Sequence, residues 1–401
     1  MYCVQKMKED LYYVGGSDRR LALFENIYPI PRGVSYNAYV VTDEKTVLLD
    51  TVDQSVSRLF FENLSHVLGD KPLDYVIVNH MEPDHSATLE EVLRRYPNAV
   101  VVCNAKTVPM IRQFFGASAL PDDHIHLVKE GDELCTGRHT FAFVMAPMVH
   151  WPEAMVTFDK ADGVLYAADA FGTFGALSGN IYADEVDFAR DWLDDARRYY
   201  VNIVGKYGPQ VQALLKKAAG LPISMICPLH GPIWRENLGW FIEKYDRWSR
   251  YEPEDKTVLL CSASIYGDTD LAVQVLATML SERGVKNMVM YDLSATDVSY
   301  VVSEAFRCSH LVLAASSYNG GVFTPMENLL SDLKAHNFQN RTVAVLENGT
   351  WAPTAGKCIH AALEGMKNMT VLEGGITMRS ALQESQLDAL SALADQIVAS
   401  L

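Results

Sequence analysis

The stretch "VIVNHMEPDHSAT", residues 76–88, sets four potential metal ligands, His80, Glu82, Asp84 and His85, directly behind an apolar run. Val76, Ile77 and Val78 have the β-branched character of a buried strand. The polar residues then fall in the loop at its carboxyl end, where side chains from neighbouring strands of an α/β sheet can converge on one point. On its own the stretch leaves two readings open, a metal site and an ordinary polar loop.

Three donors further along the chain shift that balance. His150 follows the apolar run 141–146 in "APMVHWPEAM", Asp169 ends "VLYAAD", and His230 follows "ISMICPLHG". A lone histidine beside a strand is more often a satisfied core or surface residue than a ligand. Seven hard or borderline donors, each at the end of an apolar run, point instead to a metal centre.

The elements around these donors read as a mixed α/β domain. Residues 33–52, "GVSYNAYVVTDEKTVLLDTV", form two β-rich runs joined by polar "TDEK", a hairpin pattern. Strands are expected at 74–78, 99–104, 141–146 and 164–168. A helix is expected over 86–96, with Glu90 and Glu91 in its first turn, Arg94 and Arg95 in its last, and Pro97 beyond. A long helical stretch over 184–218 carries Val186, Trp192, Ala196, Tyr199 and Tyr200 at near-helical spacing, which reads as packing.

The organisation changes at "DRWSRYEPEDKTVLLCSAS", where charges and Pro253 separate an aromatic helix end from a new strand. The boundary is placed near 250–255, giving domains 1–251 and 252–401. Beyond it, strands at 257–261, 287–291, 310–315 and 342–346 alternate with helices at 268–283, 297–306 and 325–336, the pattern of a doubly wound parallel sheet.

Bulk properties exclude several classes. The chain has 401 residues, long enough for two domains, and 34 basic against 50 acidic residues give a net charge of −16. No Lys/Arg cluster is available to neutralise a nucleic-acid backbone. Apolar runs fall short of the roughly 20 residues of a membrane span, and "MYCVQKMKED" lacks the apolar centre of a signal peptide. Seven scattered cysteines, none in a C-x-x-C pair, support neither a disulfide framework nor a zinc knuckle. A cytoplasmic protein with reduced thiols is expected.

The H-x-[EH]-x-D-H pattern followed by isolated His, Asp and His resembles the metallo-β-lactamase superfamily over roughly residues 30–250. That likeness implies an αββα sandwich with a two-metal centre between its sheets. The superfamily's hydrolases carry histidine where this chain has Glu82. A carboxylate there adds hard oxygen and negative charge, favouring iron over zinc. With "HWPEAM" and "HGPIW", the stretch is similar to the flavodiiron proteins, or A-type flavoproteins, whose second domain is flavodoxin-like.

The second domain supports a mononucleotide site on its own residues. "CSASIYGDTD" follows a strand and opens a helix, so Ser264, Ile265, Tyr266, Gly267, Asp268 and Thr269 place backbone N–H groups and hydroxyls where the helix dipole stabilises an anion. The sequence has neither a G-x-G-x-x-G nor a P-loop fingerprint there. Two further loops stand at later strand ends: Ser316, Ser317, Tyr318, Asn319, Gly320 and Gly321, then Asn348, Gly349, Thr350, Trp351 and Ala352. All three are expected to hold FMN, with Trp351 covering a ring and Asp268 capping its helix so that its carboxylate points away from the phosphate.

The resemblance implies an oxidoreductase in which FMN passes electrons to a non-haem di-iron site that reduces O2 to water, NO to N2O, or both. It assigns His80, Glu82 and His150 to one iron, Asp84, His85 and His230 to the other, and Asp169 as the bridge; family members differ over whether the histidine equivalent to His85 coordinates. Two ferrous ions hold the two electrons needed for two NO, while O2 needs four and also draws on the flavin. A head-to-tail homodimer, alone or paired as a dimer of dimers, is implied, with Trp351 as a contact between cofactors. The end at Leu401 leaves no space for an appended rubredoxin or flavin-reductase module, so an external rubredoxin-like protein or a reduced deazaflavin is the expected donor. Two rivals stay open: a zinc hydrolase with a flavodoxin-like appendage, and a non-catalytic FMN electron carrier.

Overall fold

The computed structural model describes all residues, Met1–Leu401. The chain divides into two compact units: Met1–Tyr200 with Pro209–Tyr245, and Val201–Gly208 with Asp246–Leu401. The changeover lies inside the helix Leu238–Ser249.

In the first unit the β-branched runs become a seven-stranded sheet in the order Gln5–Lys6, Leu11–Tyr13, Tyr39–Thr42, Thr46–Leu49, Tyr75–Ile77, Val100–Cys103, Ile125–Leu127. The strands Tyr39–Thr42 and Thr46–Leu49 are the antiparallel hairpin expected around "TDEK". Thr46–Leu49, Tyr75–Ile77, Val100–Cys103 and Ile125–Leu127 run parallel. Val47, Leu48, Leu49, Val76, Ile77, Val101 and Val102 are wholly buried, as central parallel strands require. A second sheet of five strands runs Glu133–Cys135, Thr140–Met145, Met155–Asp159, Val164–Tyr166, Met225–Cys227. Aromatic side chains join the two sheets: the rings of Tyr39 and Tyr166 lie 5.5 Å apart.

Hydrogen bonds bolt the sheets together where the ligand loop begins. Asn79 donates to buried Asp50 from its backbone and its side chain, each at 2.7 Å. Thr157 Oγ1, on the second sheet, donates to Asn79 Oδ1 at 2.7 Å. Burial pushes the Asp50 carboxyl up to about 6, while the Asn79 amide groups pull against it.

Two helical expectations are corrected. The segment expected as one helix over 86–96 is split into Pro83–Ser86 and Leu89–Arg95, because Pro83 supplies a helix start inside the ligand loop itself. The stretch 184–218 is not continuous: short helices at Phe188–Asp191 and Leu193–Tyr199 give way to a π-turn at Tyr200–Val204, then to the helix Gly208–Ala218. Gly208 and Pro209 account for the restart, since proline cannot continue a helix but suits its first turn.

The second unit orders its strands Met288–Asp292, Asp255–Ala263, Cys308–Tyr318, Thr342–Asn348, and then Thr370–Val371 and Ile376–Met378 side by side. In chain order this is 2-1-3-4-5, all parallel, the flavodoxin-like arrangement. Val258, Leu260, Val312, Ala314, Ala344 and Leu346 pack on the helices Asp268–Glu282 and Leu387–Ser400. The helices Val298–Arg307, Thr324–Ala335 and Ala355–Glu364 are the other crossovers. The strand order reverses between Asp255–Ala263 and Cys308–Tyr318, so the crevice at their carboxyl ends is where this topology places a ligand. No helix of the chain is long and apolar enough to cross a membrane.

Candidate di-metal centre and flavin site

The seven donors anticipated from the sequence meet in the first unit. His80, Glu82, His150 and Asp169 form one group, and Asp84, His85 and His230 another; within each group the donor atoms lie within 4.8 Å of one another. Asp169 faces both. Its Oδ2 is 3.1 Å from His80 Nε2 and 3.2 Å from His150 Nε2, while its Oδ1 is 3.2 Å from His85 Nε2 and 3.6 Å from His230 Nε2. Glu82 Oε2 lies 2.9 Å from His150 Nε2 and 3.3 Å from His80 Nε2; Asp84 Oδ2 lies 3.2 Å from His230 and 3.3 Å from His85. His85 and His230 present Nε2 to each other at 2.9 Å, so both rings aim at a shared point.

The ring orientations are fixed from behind. His80 Nδ1 bonds Glu153 Oε1 at 2.9 Å, and the same oxygen accepts the Met81 N–H at 2.9 Å. His230 Nδ1 donates to the Ser35 carbonyl at 2.7 Å. Both bonds leave Nε2 as the inward-facing nitrogen, as an imidazole metal ligand requires. The turn that delivers His230 needs Gly231: φ is +76° there, and a Cβ would meet Thr173 Cγ2 at 2.0 Å.

The cluster fits cations. Both oxygens of Asp84, both of Asp169 and Nδ1 of His85 are buried without a hydrogen-bond partner, and such groups are costly unless something binds them. Burial works against the His80 and His150 imidazoliums, yet the surrounding carboxylates outweigh it; His80 is held well above the usual histidine range and His150 at about 9. Burial raises Asp84 to about 7, with Glu82 and Asp169 repelling its ionised form. Three carboxylates and four imidazoles around two points form a mixed hard and borderline donor set suited to iron.

Three neighbours of the cluster were not singled out from the sequence as chemistry. Glu153 stood in the quoted "HWPEAM", three residues after His150, and only the fold reveals that it backs His80 instead. Tyr199, expected as packing, does pack, its ring 5.3 Å from that of His230, but its buried hydroxyl has no partner, and the charges of Asp169 and Asp84 bear on it. Glu25 is held up at about 8, by loss of solvation first and by the neighbouring Glu82 charge second. Neither carried a spacing signal.

A third His/Asp group, Asp10, His139 and Asp162, is already neutralised by protein. Arg138 binds Asp10 and Asp162 through four contacts of 2.9–3.1 Å, and His139 bridges Asp159 at 2.8 Å and Asp10 at 3.0 Å.

In the second unit a pocket of about 390 Å³ opens at the strand-order reversal, within the range of small-molecule sites. Fifteen of its sixteen lining residues lie in the three loops anticipated; Ser380 is the addition, and Gly267 and Gly321 stand outside the lining. Gly267, with φ +100, occupies the N-cap position of the helix Asp268–Glu282. Asp268 therefore does not cap that helix as expected: it is the first helical residue and lines the pocket. Asn348 is committed to the protein, donating from Nδ2 to Ser380 O at 2.6 Å and Thr269 Oγ1 at 3.2 Å, and accepting from Ser380 N–H at 3.0 Å. Thr269 and Ser316 share a 3.0 Å hydroxyl contact. Ser317 Oγ accepts the N–H groups of Thr354 and Ala355 at the head of the next helix. Tyr266 and Trp351 stand 94% and 87% exposed at the rim.

A metallo-β-lactamase-like unit with a two-point cluster, joined in one chain to a flavodoxin-like unit, defines a redox metalloflavoprotein. A family model described as "ODP family beta lactamase" matches residues 34–231. The chain is 30% identical over 351 residues to the anaerobic nitric oxide reductase flavorubredoxin of Aeromonas hydrophila, covering 86% of this chain and 70% of that one; for the same-named protein of Vibrio vulnificus the figures are 30% over 362 residues, 89% and 72%. Among solved structures, the flavodiiron protein of Giardia intestinalis superposes with a TM-score of 0.91 at 25% identity, covering 99% of this chain and 97% of that chain. Rubredoxin oxygen:oxidoreductase of Desulfovibrio gigas gives 0.91 and 25%, covering 99% and 98%. The chain belongs to the flavodiiron protein family.

Proposed function

We propose that this protein is an oxidoreductase that takes electrons at FMN in its second unit and uses them at a di-iron centre in its first unit to reduce O2, NO or both. Asp169 carries this proposal: one buried carboxylate turns Oδ1 to one group of ligands and Oδ2 to the other, as a bridge between two cations would. His80, Glu82 and His150 would hold one iron and Asp84, His85 and His230 the other, with domains at 1–251 and 252–401. When bound, the irons and flavin supply the electrons for reducing O2 to water or NO to N2O.

The chain's own residues orient and shield. Glu153 and the Ser35 carbonyl fix two imidazoles. The Tyr199 hydroxyl, kept protonated by burial, offers a hydrogen bond beside the cluster. The pocket loops would hold FMN through Ser264, Ile265, Tyr266, Gly267, Asp268, Thr269, Ser316–Gly321 and Asn348–Ala352. The exposed Trp351 and Tyr266 at the pocket rim support a head-to-tail homodimer, alone or paired, in which one chain's flavin serves its partner's cluster. A rubredoxin-like protein is the proposed donor, with a reduced deazaflavin as the small-molecule alternative. A cytoplasmic location accords with exposed thiols at Cys3 and Cys135.

The test is anaerobic purification with iron and FMN quantified, followed by electrode measurement of O2 and NO consumption by the pre-reduced protein. About two irons and one FMN per chain, with uptake of at least one gas, is expected from the ligand sets and the single flavin pocket. Zinc without iron, together with hydrolysis of a thioester, would replace this function with that of a hydrolase.

A further inference from the structure

The first unit contains an apolar cavity of about 100 Å³ that no ligand group enters. Its floor is the second sheet. Leu165 pairs with Ile226 and opposite Phe158, so Val156, two positions from Phe158, shares their face, and all three line the cavity. The helix Gly208–Ala218 closes it from above. Every lining side chain is apolar. A space of this size and character stays dry and takes up small apolar guests, while burying a charged or strongly hydrogen-bonding solute there would cost several kcal/mol.

The two ends of the cavity differ. At the outer end Ala219 is exposed and Ala218 half-buried. At the inner end stand Ala170 and Phe171, the residues directly after Asp169. Their turn is closed by bonds from Ala170 N–H to Ala167 O and from Gly172 N–H to Asp169 O, both 3.1 Å. Ala168 and Phe171 adopt left-handed φ values of +49° and +67° within it, a conformation that costs a bulky L-residue energy and persists only where packing enforces it. One short turn thus gives Asp169 to the cluster and Ala170 and Phe171 to the cavity.

We propose that this cavity is a holding site for the apolar diatomic substrate, O2 or NO, on its way to the cluster. The inference rests on the gas-reducing function proposed above. It assigns the entry of gas to the outer face of the second sheet, a route closed to protons and to charged reductants by its lining.

Xenon is the probe, because it reports occupancy without turnover. In crystals of the iron- and FMN-loaded full-length protein under xenon pressure, xenon is expected in the cavity. Ala218→Leu, which adds volume from the helix, is expected to exclude it and to lower kcat/KM for the gas roughly 3- to 10-fold, while donor reduction of the flavin proceeds at the wild-type rate. The wild-type chain supplies a measurement independent of any variant: xenon should raise KM for the gas. Gas consumption with no xenon in the cavity, or with KM indifferent to xenon, overturns this inference alone. Consumption of neither gas overturns the proposed function and this inference with it.

Discussion

Glu82 and Glu153 do different work on the same histidine. Glu82 approaches His80 from the cluster side at Nε2, and Glu153 holds it from behind at Nδ1. Replacing Glu153 by Gln keeps the shape and removes the charge that makes His80 a better donor. Iron affinity should then fall about 10- to 100-fold, read by chelator competition, with FMN content unchanged as the control in the other unit. Undiminished iron affinity would show that Glu153 only fills space. The convergence of the seven donors was legible because each follows an apolar run, so sequence alone places it near a strand end. Glu153 and Tyr199 were not, because what distinguishes them is a partner 73 positions away in one case and an unpartnered hydroxyl in the other.

At the scale of elements, the hydrogen bonds around Asn348 tie the ends of three segments of the flavin crevice: Thr269 at a helix start, Asn348 at a strand end, and Ser380 after the last strand. Asn348→Ala should loosen all three and weaken FMN binding by roughly tenfold, measured by flavin fluorescence on titration of the apoprotein. Unaltered affinity would mean that the loops hold their places without it. The three loops could be found from strand ends and helix starts, but Ser380 could not, because it joins through a backbone bond that no motif marks. The broken segment 184–218 shows a second limit: near-helical spacing of apolar residues survived several short helices, so periodicity alone overstated continuity.

His139 gives the second sheet a pH dependence of definite sign. Its ring is buried at the start of the strand Thr140–Met145, and although burial opposes the imidazolium, Asp159 and Asp10 hold its pKa up at about 9. The unfolded value is about 6.5. A raised folded pKa means that the contribution is complete below about 6.5 and disappears as pH rises through about 9. Stability measured by denaturant should fall by on the order of 2 kcal/mol between pH 6 and pH 10 from this group, and His139→Gln should flatten that slope. A wild-type slope retained in the variant would assign it elsewhere.

For the whole molecule, the cluster and the flavin pocket belong to different compact units of the chain, and the proposed head-to-tail pairing makes turnover a property of the dimer. Dilution to the monomer should therefore slow gas consumption while donor reduction of the flavin keeps its rate, as stopped-flow and sedimentation on the same samples would show. Constant turnover per chain at monomer concentrations would remove the need for a partner. The two-part architecture was legible in the sequence, from the charged break near Pro253 and the change from mixed to strictly alternating elements. Where compactness changes over, inside the helix Leu238–Ser249, was not, because a continuous helix carries no break in its pattern.

The facing pair His85 and His230 also constrains how the protein is made. They lie 145 positions apart, and His230 follows the strand Met225–Cys227, which pairs in parallel with Val164–Tyr166. Such non-local pairing forms late, since chain closure precedes the contacts that reward it. The second group of candidate ligands is therefore incomplete on a nascent chain until His230 has emerged and its strand has docked, so completion of that group follows, in each molecule, the closing of the second sheet.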